Sequence, residues 1–468
     1  MSQKNNSRMA WYTFAFIVFG GVWGFGNTVN GFSTYGGLKA IIPWLLVFIV
    51  YFIPYALMVG ELGSSFKNEE GGVSSWINKT IGPTAAYFAG WTYWVVHMPY
   101  MSQKPSAAVV ATSWVIFQDK RASEMNTMVL QAICLVIFIV ALYFARKGIA
   151  VIRKLSSLAG SAMFFMCILY IILMFAAPAI TDASLFDIKW SVETFMPTFD
   201  LKFFTGLSIL VLAVGGCEKV SPYVNKVKDP SKDFAKGMIA LAVMVALCAV
   251  FGTIAMGMMF DSNNIPEDLM VNGAYYCFQM LGEYYGVGNL FVIIYGLANV
   301  ISQLSVLIIS IDAPLCMLLG NADEKYIPKS LFKQNEYGAY VNGHKMIAVI
   351  VGLLIIIPAF GIDNVDVLMT WLIKLNSVCM PLRYLWVFVA YVALKKVADK
   401  YPSEYYFTKS KGFGMFMGGW CFAFTAFACI LGIYSEDTFQ LVMNIATPVV
   451  FVILGFILPA IAKKQSNK

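Results

Sequence analysis

The 468 residues are 59% hydrophobic and only 13% charged, about half the charged share of an ordinary globular domain. That excludes a water-soluble multidomain chain, and the net charge of +7 needs no nucleic-acid partner to explain it. Nine cysteines form no CxxC pair, and His97 and His344 belong to no metal-binding spacing, so neither a metal, another cofactor nor a disulfide framework is expected.

A hydrocarbon core of about 30 Å takes about 20 helical residues. Twelve runs of that size fit the sequence, over 11–32, 41–64, 84–117, 126–145, 155–177, 203–225, 237–260, 287–319, 346–360, 367–394, 413–434 and 438–462. The reading is an all-α integral membrane protein with short ends at 1–10 and 463–468. Lys4 and Arg8 precede the first run without a small-residue cleavage pattern, so this run is read as a retained helix and not a signal peptide. Lys and Arg give the orientation. Twenty-five, with Lys219 near the end of the sixth span counted in the connection that follows it, fall at the two ends and in the even-numbered connections against five in the odd-numbered ones, which places both termini in the cytoplasm of a cell (plasma) membrane protein.

The first span holds the sequence Phe19-Gly20-Gly21-Val22-Trp23-Gly24-Phe25-Gly26-Asn27. Each glycine weakens a helix by about 1 kcal/mol relative to alanine, so a break is predicted over Val22, Trp23, Gly24, Phe25, Gly26 and Asn27. Close packing of small residues is the competing reading of the same glycines. The third span carries Lys104, with His97, Tyr100 and Met101 at the spacing of one helical face and Pro99 and Pro105 predicting a bend. As a straight helix it would measure about 51 Å, longer than the membrane core. Intramembrane cations mark function by default, with snorkelling to the edge as the alternative.

The fifth span has no Lys or Arg between residues 155 and 188, and its Ser161, with Ser305 of the eighth span, leaves a sodium site open. The sixth span repeats the interruption: Ala213, Val214, Gly215, Gly216 and Cys217 lead into Glu218 and Lys219 before the span is crossed. Breaks in the first span of each of two successive five-helix halves predict a transporter with an inverted repeat, spanning 11–177 and 203–394, with 413–462 as two added helices. The eighth span offers the polar row Asn299, Ser302 and Gln303. In the tenth, Lys374 and Arg383 stand nine residues apart, on opposite sides of a regular helix, so only one faces a pathway. The connections 181–202, 261–286 and 321–345 read as loops, and Trp44, Tyr275 and Tyr276 as interfacial aromatics.

Three stretches resemble the amino acid-polyamine-organocation superfamily of transporters. These are Glu61-Leu62-Gly63 through Gly71-Gly72-Val73 to Gly82-Pro83 and Gly90-Trp91, then Gly215-Gly216-Cys217-Glu218 with Lys226-Val227-Lys228-Asp229-Pro230, and the acidic turn Asp323-Glu324 leading to Pro328. The flavour is closest to the glutamate:GABA antiporter branch. The resemblance implies a five-plus-five inverted repeat and alternating access. It implies an amino acid, or a closely related amine, whose backbone is held by residues 22–27 and 213–217. Side-chain selection must then come from elsewhere in the cavity, with Lys104, His97, Asn299, Ser302 and Gln303 as candidates, and Glu218 and Lys374 join His97, Asn299, Ser302 and Gln303 as candidates for gating or coupling. Trp23 and Phe25 stand where the family has small residues, and the lysine of proton-coupled members in the fifth helix is missing. Exchange of two solutes, with glutamate-like substrates, is therefore the expectation. An intramembrane enzyme lacks paired metal ligands and a channel lacks repeated polar rings, while an amino acid sensor on a transporter fold is the remaining alternative.

Overall fold

The computed structural model describes residues 8–320, 322–361 and 364–466, so residues 1–7 and 467–468 of the expected ends lie outside it. Nine helices among the described residues are long and apolar enough to cross a membrane. Trp11–Val22 and Val341–Ile356 are apolar but shorter, and the 34-residue helix Pro83–Ile116 is more polar than these. Local caps set many boundaries. The side chains of Asn126, Asp200, Asn364, Ser410 and Asp437 accept from the first-turn amides of the helices they precede, satisfying donors that a helix leaves unpaired.

The first span ends as a helix at Val22, passes through extended backbone at Trp23 and Gly24, and resumes as Phe25–Tyr35. The sixth runs as Leu201–Val214, opens at Gly215 and Gly216, and continues as the 3₁₀ helix Cys217–Lys226. Three further interruptions depart from the expected runs. The tenth span divides into Val365–Cys379 and Leu382–Lys396, because Pro381 has no N–H to continue the ladder. The last divides into Thr438–Leu454 and Ile457–Ser466. The second, Gly37–Ser65, widens to a π turn over Phe48–Phe52 just before Pro54. Pro54 would leave the Val50 carbonyl unpaired, and Trp420 Nε1 donates to it at 2.8 Å. The connection 261–286 is also no simple loop, since it contains the helix Leu269–Tyr284.

Two groups of helices meet around the breaks. Pro83–Ile116 packs along Leu290–Leu319, and Val341–Ile356 and Thr127–Ala145 join them. Asp233–Met259 packs on Trp11–Val22, Phe25–Tyr35 and Ile53–Ser65. Trp11–Val22 also crosses Ile149–Ile180 with glycine on both sides: a Cβ on Gly160 would lie 1.8 Å from the Phe16 carbonyl oxygen, and one on Gly20 would lie 2.7 Å from Gly160 Cα. Gly20 is thus a packing glycine, whereas Gly21, Gly24 and Gly26 would meet nothing within 4 Å of an added Cβ.

A second constraint sits where the second span meets the last helix of the tenth. Glu61 and Lys395 form an ion pair with 2–3% exposure, Tyr391 Oη and the Phe407 amide donate to Glu61 at 2.8 and 3.0 Å, and Lys395 donates to the Thr408 carbonyl at 2.6 Å. Removing one partner leaves a buried charge uncompensated. Lys395→Met is expected to lower stability by about 3–5 kcal/mol. The double change Glu61→Gln with Lys395→Met should recover much of that loss. Thermal unfolding of the detergent-purified proteins checks both.

Candidate functional site

The two breaks face each other across a cavity of about 190 Å³. They are tied by one side chain: Asn27 Nδ2 donates to the Val22 carbonyl at 3.1 Å and to the Ala213 carbonyl at 3.2 Å, so it serves acceptors that both interruptions set free. Gly21, Val22, Trp23, Gly24, Gly26 and Asn27 line the cavity from the first break, and Gly215 and Lys219 from the second. Gly216 adopts φ +108°, a left-handed conformation suited to glycine, and this turns the chain into the 3₁₀ segment. Each resumed helix opens with amides that have no intrahelical acceptor and a positive dipole end.

The wall is cationic. Lys104, Lys219 and Arg383 line the cavity, and among the described residues no aspartate or glutamate lines it. Lys104 Nζ lies over the Tyr100 ring, 4.4 Å from its centroid. Lys219 Nζ sits over the same ring at 5.4 Å and donates to Ser310 Oγ at 2.6 Å. Arg383 is 3% exposed; its Nε lies 3.3 Å from Glu218 Oε1, and its Nη2 donates to Tyr384 Oη at 3.3 Å. Tyr55 Oη donates to the other Glu218 oxygen. His97 Nδ1 lies 2.6 Å from the Tyr93 carbonyl, which fixes the proton on that nitrogen and leaves Nε2 to accept from Arg383 Nη1.

Several residues stand elsewhere than the sequence suggested. Lys219, counted with a cytoplasmic connection, is 2% exposed and lies in the cavity wall. Glu218, read as a gating or coupling group, is paired with Arg383. His97 is completely buried beneath the cavity, and the lining face of the third span is Tyr100, Gln103, Lys104 and Ala107. Phe25 turns away into rings of Tyr170 and Phe278, with centroids at 4.7 and 5.2 Å. Ala213, Val214, Gly216 and Cys217 do not line the cavity, although the Ala213 carbonyl serves Asn27. Lys374 is exposed and outside the lining set, so of the tenth span's two cations Arg383 is the one at the cavity.

The polar row of the eighth span does reach the cavity. Asn299, Ser302 and Gln303 line it, Gln303 Nε2 donates to Asn299 Oδ1 at 2.9 Å, and Asn299 Nδ2 donates to Tyr275 Oη at 2.8 Å. Tyr275 is therefore a wall residue, brought in by the helix Leu269–Tyr284, and Trp44 is fully buried against Trp23 with ring centroids 5.5 Å apart. Ser305 and Ser161 do not converge: Ser305 donates to Ser156 at 2.9 Å, and Ser161 donates to the Ser157 carbonyl of its own helix at 2.9 Å. Arg383 is one of the two cations the tenth span offers, and Lys219 could have been found by the same rule, that a cation within a span or its break marks function whatever the count of loop charges.

The open space at Gly24 and the crowding at Gly215 separate two effects. A Cβ on Gly215 would lie 2.2 Å from the Tyr384 ring. Gly24→Leu is expected to fill the cavity and abolish ligand binding while the unfolding temperature stays near the parent's. Gly215→Ala should displace Tyr384 and lower the unfolding temperature itself. Paired melting and binding measurements distinguish them.

An apolar bundle with a small, charge-lined internal cavity and opened helices suits a solute carrier better than a catalyst. Residues 9–461 match the amino acid permease family model. The chain is 45% identical, over 99% of its own length and 97% of the relative's, to the aspartate/glutamate permease AcaP of Lactococcus lactis subsp. cremoris. It is 25% identical, over 82% and 81%, to the inner membrane transporter YjeM of Salmonella typhimurium. It is 22% identical, over 79% and 77%, to the probable agmatine/putrescine antiporter AguD of Lactococcus lactis subsp. lactis. The chain belongs to the amino acid permease family, within the amino acid-polyamine-organocation superfamily, and is an amino acid transporter of the membrane, not an enzyme.

Proposed function

We propose that the chain carries acidic amino acids, aspartate and glutamate, across the plasma membrane by alternating access, as an exchanger. The observation that carries this reading is a cavity lined by Lys104, Lys219 and Arg383 and, among the described residues, by no carboxylate. An amino acid with a second carboxylate brings the charge such a wall favours, whereas a cationic amine would be repelled. The name of the 45% identical relative supports the same class.

In this reading the opened backbone of the first break holds the common part of the substrate. Amides at the start of Phe25–Tyr35 meet the α-carboxylate, and carbonyls at the end of Trp11–Val22 meet the ammonium. Lys104 is the first candidate for the side-chain carboxylate. Arg383 is already engaged by Glu218 and Lys219 by Ser310, while Lys104 has the neutral Tyr100 ring beneath it. Twelve spans in a five-plus-five inverted repeat, with both termini cytoplasmic, complete the proposal. The breaks in the first and sixth spans and the bias of Lys and Arg among the connections support it.

Exchange is supported by the lack of a cation between residues 155 and 188, by Ser305 being bonded to Ser156, and by the antiporter named among the relatives. Lys104→Met is expected to weaken glutamate by about 1.5–3 kcal/mol, roughly ten- to hundredfold, and a neutral amino acid little. Equal losses for both would sink the assignment of Lys104. In proteoliposomes, labelled glutamate should enter vesicles preloaded with aspartate or glutamate far faster than empty ones. Equal rates, or a steep dependence on a sodium gradient, would exclude exchange.

A further inference from the structure

A second cationic feature lies well away from the cavity, where the first and fifth spans begin. A surface groove there is lined by Arg8, Arg153, Lys154 and Lys228, together with Tyr12 and Ser157, and among the described residues no acidic side chain lines it. The four cations come from three separate stretches of chain, so their convergence is a product of the fold and not of a local run. Arg8 and Lys228 are brought side by side by main chain: the Met9 amide donates to the Lys226 carbonyl and the Lys228 amide to the Met9 carbonyl, both at 2.8 Å. Arg8 Nη1 adds a bond to the Lys228 carbonyl at 3.4 Å. Asp229, the nearest acid in sequence, accepts instead from the Ser231 amide at 3.2 Å.

What leads away from the groove identifies its occupant. Lys154, Leu158, Ser161, Phe165 and Ile172 fall on one face of Ile149–Ile180, and Leu158, Phe165 and Ile172 are each more than half exposed. The groove thus continues into an apolar stripe running down the span. Trp11 and Tyr12, exposed at the other side, are the amphipathic rings that sit at headgroup level. By the distribution of Lys and Arg this end of the bundle is cytoplasmic, where anionic leaflet lipids face basic segments.

We propose that this groove binds the phosphate headgroup of an anionic phospholipid, with an acyl chain laid along Leu158, Phe165 and Ile172. The headgroup bridges the fifth span to Arg8 and Lys228, the segments that lead into the first broken span and out of the sixth. Occupancy therefore acts on both broken helices from outside the cavity and makes transport responsive to the lipid.

The test uses the purified full-length chain titrated in detergent with phosphatidylglycerol, phosphatidylcholine or inorganic phosphate, read by unfolding temperature. Exchange is read in parallel in phosphatidylcholine vesicles with and without phosphatidylglycerol. Phosphatidylglycerol alone should stabilise the protein and raise exchange. Arg153→Gln with Lys154→Gln should shift the titration to weaker binding by about fivefold for each charge removed. The exposed change Lys228→Gln gives a smaller shift without risk to folding, and Lys463→Gln with Lys464→Gln, at the same end of the bundle, should change nothing. A response in the groove variants equal to the parent's would overturn the proposal. So would stabilisation by inorganic phosphate equal to that by phosphatidylglycerol, which would make the groove a free-anion site.

Discussion

A guanidinium held inside an apolar bundle must be compensated where it stands, and the centre of this protein is arranged around that requirement at Arg383. Glu218 supplies the opposite charge, while Tyr384 and the unprotonated nitrogen of His97 accept from the guanidinium. Tyr55 in turn donates to Glu218. Such a pair adds little net stability over a well-packed apolar core, but separating its members is expensive. What it contributes is position. The second, third and sixth spans each give one group and the tenth gives two, so the floor of the cavity is fixed by chemistry that no one span could satisfy. Above that floor the backbone is open, and Asn27 serves the carbonyls that the openings release.

The three cavity cations differ in how firmly they are held. Arg383 is bound by charge and hydrogen bonds, Lys219 by one hydroxyl and an aromatic face, and Lys104, among the described residues, by the aromatic face. Under the proposed function, a site graded in this way keeps its shape when empty and leaves the Lys104 ammonium for the ligand. The neutral side of the wall, from Asn299, Ser302 and Gln303 to Tyr275, offers donors and acceptors without competing charge. Under the proposed function, discrimination against amines follows from like-charge repulsion as much as from attraction of acids.

Much of this could be read in the sequence, and the places where reading failed share a cause. Glycine density located both breaks, and an isolated lysine in an apolar run located Lys104. But glycine looks the same whether it opens space or closes it. Only the neighbour reveals that Gly20 touches Gly160 while Gly24 borders the cavity. A break assigns its whole stretch to the ligand and says nothing of which way each side chain turns, so Phe25 falls within 22–27 although it packs against Tyr170. Lys219 was lost to charge counting because a 3₁₀ segment carries it back into the bundle. Tyr275 reached the wall through a short helix with too few residues to stand out from a polar connection.

The half-helix Trp11–Val22 is fastened near both ends by main chain: by the bridge between Met9 and Val227, and by the crossing where Gly160 meets the Phe16 carbonyl and Gly20. Attachments of this kind are blind to side-chain identity except where a Cβ would intrude. Between them Phe14 and Phe19 are buried against Phe234 and Phe164, with ring centroids 5.0 and 5.3 Å apart, so those positions are held by shape as well. Variation among homologous chains should accumulate at the exposed Trp11 and Tyr12, while Gly20 and Gly160 should change rarely and then together.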